Sequence, residues 1–155
     1  MKFDDVTRLL AALDREEVEY VLIGSMAMAA RGIVRATQDI DFFVKPESEN
    51  VDRLRRALRS VYDDDSIEEI VSEDLAGAYP VIRYGPPEGE FVIDIVGRLG
   101  DAYAFADIDS DRVEIGGIPV PVATTRMLYE MKRDTVRPQD RADAEALRQR
   151  LEIED

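Results

Sequence analysis

The chain contains no cysteine and no histidine among its 155 residues. The absence of cysteine excludes disulfides and thiolate chemistry, and the absence of histidine removes the usual general base and the usual zinc ligand. Acid–base chemistry therefore has to use carboxylates, lysine, tyrosine or metal-bound groups. The sequence has no apolar run long enough to span a membrane, and its opening residues MKFDDV lack a signal-peptide pattern. We therefore expect a cytoplasmic protein that does not bind membranes.

Positive charge is also scarce. The chain has 34 acidic and 20 basic residues, which gives a net charge of −14, and only three of the basic residues are lysines. Such a balance argues against non-specific binding to duplex DNA, which needs a basic surface, although a local arginine patch still allows an RNA substrate. The length predicts a single domain, residues 1–155, that is large enough for a proper core.

The most informative stretch is residues 20–45, which reads YVLIGSMAMAARGIVRATQDIDFFVK. Its first four residues favour a buried strand. The alanines and methionines after Gly24-Ser25 favour a helix, with Ser25 as its N-cap. The apolar run at residues 40–44 predicts a second strand. Asp39 and Asp41 lie two residues apart on it, so we expect both side chains on one face of the sheet.

This pattern favours a site for a metal ion and phosphates. Two carboxylates on one face repel each other unless a cation lies between them, and oxygen ligands suit a hard ion such as Mg²⁺. The Gly24-Ser25 turn presents backbone N–H groups at a helix N-terminus, where phosphate is stabilised. The alternative is that Asp39 and Asp41 lie on a solvated face and have no function.

A further acid lies in a predicted hairpin. Residues 79–84 and 90–96 predict two antiparallel strands, and Asp94 falls in the middle of the second, apolar one. A lone carboxylate there is costly unless it binds a metal or a partner such as Arg83 across the hairpin. Residues 112–122 predict another hairpin with glycines at its turn, and the prolines there suggest an edge strand.

The last third of the sequence predicts a pair of helices. Lys132 lies on the first helix, and Pro138 suits the first turn of the second. Asp140 falls on the apolar stripe of the second helix, so it needs a cationic partner such as Lys132 or Arg137. The pattern is compatible with a structural ion-pair network between the helices and with a functional role for these residues.

The order of strand, Gly24-Ser25, helix and a strand with D-x-D resembles the nucleotidyltransferase superfamily, which has the DNA polymerase β-like fold. The segment GIVRATQDID and the pattern Lys132, Arg137, Asp140, Asp143 are most similar to the AbiEii-type toxin transferases. The resemblance implies an α/β (α+β) fold, in which a mixed, mostly antiparallel sheet is flanked by helices and followed by a C-terminal helix pair. It covers residues 20–45 and 124–147, with Asp94 between them.

The resemblance also implies a metal-dependent enzyme that moves an NMP from an NTP to a hydroxyl and releases pyrophosphate. Asp39, Asp41 and Asp94 would be the catalytic ligands of two Mg²⁺ ions, for which Mn²⁺ could substitute. The remaining implied site residues contact the nucleotide. Gly24 and Ser25 would hold the β- and γ-phosphates, Arg35 and Lys132 would neutralise the leaving pyrophosphate, Arg137 belongs to the same motif, and Asp140 would orient Lys132 or help as a base.

The acceptor stays open at the level of sequence. The resemblance suggests tRNA or another RNA 3′ end, or a partner protein in a toxin–antitoxin system, and an aminoglycoside-type small molecule is a further alternative. A non-catalytic nucleotide-binding or protein-interaction module on the same fold is the alternative of a different class. Such a module predicts nucleotide binding without release of pyrophosphate.

Overall fold

The computed structural model describes residues 2–34, 38–78, 80–87, 91–99, 103–133 and 138–154. The helices in these ranges are α1 (Phe3–Arg15), α2 (Gly24–Ala30), α3 (Ser48–Val61), α4 (Ser72–Ala76), α5 (Thr125–Arg133) and α6 (Pro138–Glu154). The strands are β1 (Tyr20–Ile23), β2 (Asp39–Val44), β3 (Val81–Tyr84), β4 (Val92–Val96), β5 (Ser110–Ile115) and β6 (Ile118–Ala123). Short 3₁₀ helices cover Asp65–Glu69 and Phe105–Asp107.

The six described strands form one sheet in the order β3-β4-β2-β1-β6-β5. Three neighbouring pairs (β1–β2, β3–β4 and β5–β6) are antiparallel, and the other two (β2–β4 and β1–β6) are parallel. The sheet is therefore mixed and mostly antiparallel, as the sequence predicts. Helices α5 and α6 pack against each other, which confirms the predicted C-terminal helix pair.

The core is built on both faces of the sheet. Phe42 and Phe43 are neighbours on β2, so they point to opposite faces, and both are almost fully buried. Helix α1 buries Leu9 and Leu10, and α3, which packs against α1, buries Leu54. No helix in the described ranges is long and apolar enough to cross a membrane.

The glycine turn between β5 and β6 is confirmed, and the hairpin lies at an edge of the described sheet as predicted, although the edge strand is β5 and the prolines lie on β6. Gly116 and Gly117 have φ angles of +59° and +82°, the left-handed conformations that a tight hairpin turn uses. Pro119 and Pro121 lie on β6, an interior strand between β1 and β5. They are tolerated because the register of β6 with β1 is at Val122, beyond the prolines.

A buried asparagine fixes the end of the β1–β2 pair that lies away from Asp41. Asn50 is 1% exposed and lies in the first turn of α3. Its Oδ1 accepts a hydrogen bond from the Glu19 N–H at 2.7 Å, and its Nδ2 donates to the carbonyl oxygens of Glu19 and Lys45, both at 2.9 Å. One side chain therefore joins the residue before β1 to the residue after β2 and holds the two strands in register.

We expect Asn50→Ala to lower the free energy of unfolding by about 2–4 kcal/mol, because the change removes the three hydrogen bonds that this buried side chain makes to the backbone of Glu19 and Lys45. Urea denaturation measures this loss. Arg56→Ala, on the exposed face of the same helix, is the control and should leave the midpoint unchanged. Equal midpoints for the two variants would contradict the role assigned to Asn50.

Candidate active site

The candidate active site is a cleft of about 530 Å³ at the point where β1 passes into α2. Polar side chains dominate its walls. The residues that line it are Gly24, Ser25, Gln38, Asp39, Asp41, Arg83, Asp94, Lys132, Gln139, Asp140 and Asp143. The structure therefore brings together most of the site residues that the sequence predicts, from segments far apart in the chain. Arg35 and Arg137 lie outside the described residues.

The three predicted acids meet through strand pairing. Asp39 and Asp41 share a face of β2, while Ile40 between them is fully buried on the other face. The parallel register of β2 and β4 places Asp94 directly beside Asp41. Acids from two neighbouring strands thus form one cluster on one side of the cleft.

The environment of this cluster raises the pKa of Asp41 from its usual 3.8 to about 7. Burial is the largest cause, followed by the hydrogen bond to Asp94 and the negative charges of Asp94 and Asp39, whereas Lys132 acts in the opposite direction. A carboxylate under such repulsion is stabilised by a bound cation. An all-oxygen donor set of this kind fits Mg²⁺ or Mn²⁺.

Arg83 contacts two of these acids. It lies opposite Asp94 in the register of β3 and β4, and its two Nη atoms are 3.2 Å from Asp39 Oδ1 and 3.8 Å from Asp94 Oδ1. The partner considered for Asp94 is therefore present, but its side chain is 62% exposed rather than buried. In the described ranges, no group of three or more acids is already arranged so that it could hold a metal ion.

The backbone of Gly24 lies close to Asp41. Its φ of +71° is left-handed, and a Cβ atom at this position would lie 2.1 Å from Asp41 Oδ2. Helix α2 begins at Gly24 with Ile23 as its N-cap residue, so the prediction that Ser25 caps this helix is wrong. Ser25 instead lies in the first turn and lines the cleft.

Lys132 connects the two C-terminal helices at the cleft. Its Nζ is 2.7 Å from Asp143 Oδ2 and 3.3 Å from Asp140 Oδ1, and both acids are largely buried. The ion-pair network that the sequence allows is therefore present. Because Lys132 also lines the cleft and lowers the pKa of Asp41, the structural interpretation and the functional one apply to the same side chain.

Some cleft residues were missed by sequence reasoning. Gln38 and Gln139 line the cleft, and the Gln38 carbonyl accepts a hydrogen bond from the Val92 N–H at 2.8 Å, which helps to align β2 with β4. Each glutamine precedes a predicted site aspartate, and this adjacency is the signal that could have found it. The contact of Arg83 with Asp39 needed the strand order, which the sequence does not give.

Comparison with known protein families decides the assignment. Residues 8–150 match the family described as "Nucleotidyl transferase AbiEii toxin, Type IV TA system". The chain belongs to this family. The match covers nearly the whole sequence of this AbiEii-family protein and confirms the resemblance that the Gly24-Ser25 turn, the D-x-D strand and the Lys132 pattern indicate. No curated protein matches the sequence.

Solved structures agree on the fold of this AbiEii-family protein. A Thermotoga maritima protein assigned to the nucleotidyltransferases aligns with a TM-score of 0.56 at 19% identity, over 96% of this chain and 91% of its own. The solution structure of the antibiotic-resistance factor ANT(2'')-Ia aligns with a TM-score of 0.58 at 20% identity, over 99% of this chain and 84% of its own. Its complex with adenylyl-2''-tobramycin aligns with a TM-score of 0.57 at 19% identity, over 94% and 86%. Identities this low show the fold alone.

We expect Gly24→Ala to lower the free energy of unfolding by about 2–4 kcal/mol, because the new methyl group adds a clash with Asp41 to the strain of a left-handed residue. Thermal or urea denaturation measures the loss. Gly117→Ala is a matched control, since its φ is +82° but no atom lies within 4 Å of the added Cβ. It should lose about 1 kcal/mol from strain alone. Equal losses would show that the approach to Asp41 has no energetic consequence.

We expect Lys132→Met to lower the free energy of unfolding by about 3 kcal/mol, because it leaves the buried carboxylates of Asp140 and Asp143 without this cation. Arg148→Met on α6, the helix that carries Asp140 and Asp143, removes a cation from exposed acids and should have little effect on the urea midpoint. A midpoint for Lys132→Met as high as that of the control would mean that the helix pair does not depend on this lysine.

Proposed function

We propose that this protein transfers a nucleoside monophosphate from an NTP to a hydroxyl acceptor and releases pyrophosphate. One observation carries the proposal: in a chain of the AbiEii family, Asp39 and Asp41 of β2 meet Asp94 of β4 at a cleft that Gly24 and Lys132 also line. The cleft offers oxygen ligands on one side and a cation on the other, which is the charge pattern that a metal-bound triphosphate requires.

Asp39, Asp41 and Asp94 would hold the divalent ions, with Mg²⁺ as the natural choice and Mn²⁺ as a substitute. A divalent ion at these oxygens supplies charge neutralisation for the triphosphate and Lewis-acid polarisation of the reacting phosphate. The fit rests on the chemistry of the donor set and on the raised pKa of Asp41, whose ionised form gains most from a cation.

The residues of the chain then have separate tasks in the transfer. The acceptor oxygen forms a bond to the α-phosphorus, and the bond from the α-phosphorus to the oxygen that bridges to the β-phosphate breaks. Asp94 takes the proton of the acceptor hydroxyl. Lys132, held in place by Asp140 and Asp143, stabilises the charge that develops on the leaving pyrophosphate.

Gly24 and Ser25 bind the β- and γ-phosphates in this proposal. The absence of a side chain at Gly24 allows a phosphate held by the turn to lie close to the acids. Arg35 and Arg137 add positive charge to the nucleotide site. The nucleotide is thus held by main-chain and cationic groups on one side and by the acids on the other.

We infer an RNA 3′ end, including that of tRNA, as the acceptor, in keeping with a toxin of a type IV toxin–antitoxin system acting in the cytoplasm. A partner protein and an aminoglycoside are the other acceptor classes, the last because ANT(2'')-Ia was solved with adenylyl-2''-tobramycin. Incubation with α-labelled NTPs and Mg²⁺ in the presence of total RNA, partner protein or aminoglycosides tests this. We expect label in the RNA fraction alone. Label in another fraction would show that the acceptor belongs to that class instead.

We expect Asp39→Ala and Asp41→Ala each to reduce Mg²⁺-dependent pyrophosphate release by at least about 100-fold while the melting temperature without metal stays the same or rises. Asp94→Asn should lower turnover more than nucleotide affinity, since it removes the base. Asp65→Ala, at an exposed residue outside the cleft, is the control.

Unchanged turnover in the Asp39 and Asp41 variants would rule out this site. Nucleotide binding by the unmodified protein without any pyrophosphate release would favour the non-catalytic binding module. If Asp94→Asn mainly lowers the melting temperature, Asp94 is a structural partner of Arg83 rather than a base.

A further inference from the structure

We propose that Arg83 is an exchangeable counter-ion of the cleft, which neutralises Asp39 and Asp94 until it is displaced from them by the divalent cation that arrives with the nucleotide. Its guanidinium then binds the triphosphate. This inference rests on the proposed function and adds a coupling between the metal and the nucleotide that the acids alone do not provide.

The position of Arg83 is set by the sheet. It lies on β3, the edge strand, in antiparallel register with Asp94 on β4. From there its two Nη atoms reach across the strand boundary, one to Asp39 Oδ1 at 3.2 Å and the other to Asp94 Oδ1 at 3.8 Å. A single planar group therefore bridges acids of two strands, which a guanidinium with several donors can do.

Arg83 and a divalent ion compete for the same carboxylates. Asp39 and Asp94 belong to the proposed metal ligands, and a metal ion at their oxygens would repel a guanidinium that also contacts them. Occupation by Arg83 and occupation by a metal ion are therefore alternative states of one site.

The Arg83 side chain can leave the acids because it is largely exposed to solvent. Its side chain is 62% exposed and that of Asp39 is 42% exposed, so their ion pair is a surface pair that contributes little stability. Lys132, a second cation at the cleft, is 20% exposed and bonded to Asp143, which is 5% exposed. Of these two described cations, Lys132 is therefore held by a buried partner and Arg83 is the one that can exchange.

The triphosphate gives the released guanidinium a new partner. Arg83 remains at the wall of the cleft because its backbone is part of β3, and arginine binds phosphate oxygens through paired donors. Binding of the metal and binding of the nucleotide are therefore favourably coupled. The metal displaces Arg83 from the acids, and the triphosphate binds the displaced guanidinium.

The experiment measures Mn²⁺ binding to the full chain without nucleotide by electron paramagnetic resonance, in the unmodified protein and in Arg83→Gln. We expect Arg83→Gln to bind Mn²⁺ roughly two- to fivefold more tightly, the range that loss of an exposed competing ion pair gives. Arg112→Gln, on β5 at the opposite edge of the sheet, makes the same change in net charge and should bind Mn²⁺ like the unmodified protein.

A second measurement uses saturating Mn²⁺ and a triphosphate analogue with a methylene group between the α- and β-phosphates. Arg83→Gln should bind this analogue about tenfold more weakly, because it lacks the arginine–phosphate contact. Arg83→Lys keeps the charge but lacks the planar guanidinium. Its affinities for Mn²⁺ and for the analogue should therefore lie between those of the unmodified protein and those of Arg83→Gln. Circular dichroism checks that each variant is folded.

The outcomes separate the two proposals. If the unmodified protein binds Mn²⁺ and Arg83→Gln binds it equally well or more weakly, the exchange is overturned and the proposed function stands. An analogue affinity that Arg83→Gln leaves unchanged also overturns the exchange, because Arg83 then has no triphosphate contact. If none of the folded proteins binds Mn²⁺ with or without the analogue, both proposals fail.

Discussion

The cleft depends on the parallel pairing of β2 with β4. This pairing places Asp41 beside Asp94, and the like charges would drive the strands apart if nothing opposed them. The opposing free energy comes from the other face, where Ile40 and Ile93 are paired in the same register and are almost fully buried. Hydrophobic burial on one face of the strands therefore offsets the electrostatic repulsion between the carboxylates on the other face. This repulsion is what favours the binding of a cation at the site.

Local sequence patterns predicted the parts of this arrangement that depend on local physics. The alternation of Asp39, Ile40 and Asp41 predicts one acidic and one buried face, and the glycine pair at 116 and 117 predicts a turn, because these features depend on residues close together in the chain. Strand order is different, since it is decided by packing between distant segments. For this reason the sequence did not predict the interior position of Pro119 or the contact between Arg83 and Asp39, and both were found only in the structure.

Family membership and fold likeness describe different things in this protein. Membership of the AbiEii family covers the turn, the acids and the C-terminal helix pair. The fold is also that of ANT(2'')-Ia, solved with an adenylylated aminoglycoside, and of the Thermotoga maritima protein. A shared fold at this level of identity does not imply a shared substrate, so the function of this protein has to be argued from the residues of its own cleft.

The hydrogen bonds of Asn50 have a consequence for genetics. They lie at the end of the β1–β2 pair away from Asp41, yet they set the register in which Ile23 faces Asp41 and the chain turns at Gly24. A screen that scores loss of activity alone would group Asn50 with the residues that line the cleft. Measuring the amount of folded protein for each allele would separate the two groups.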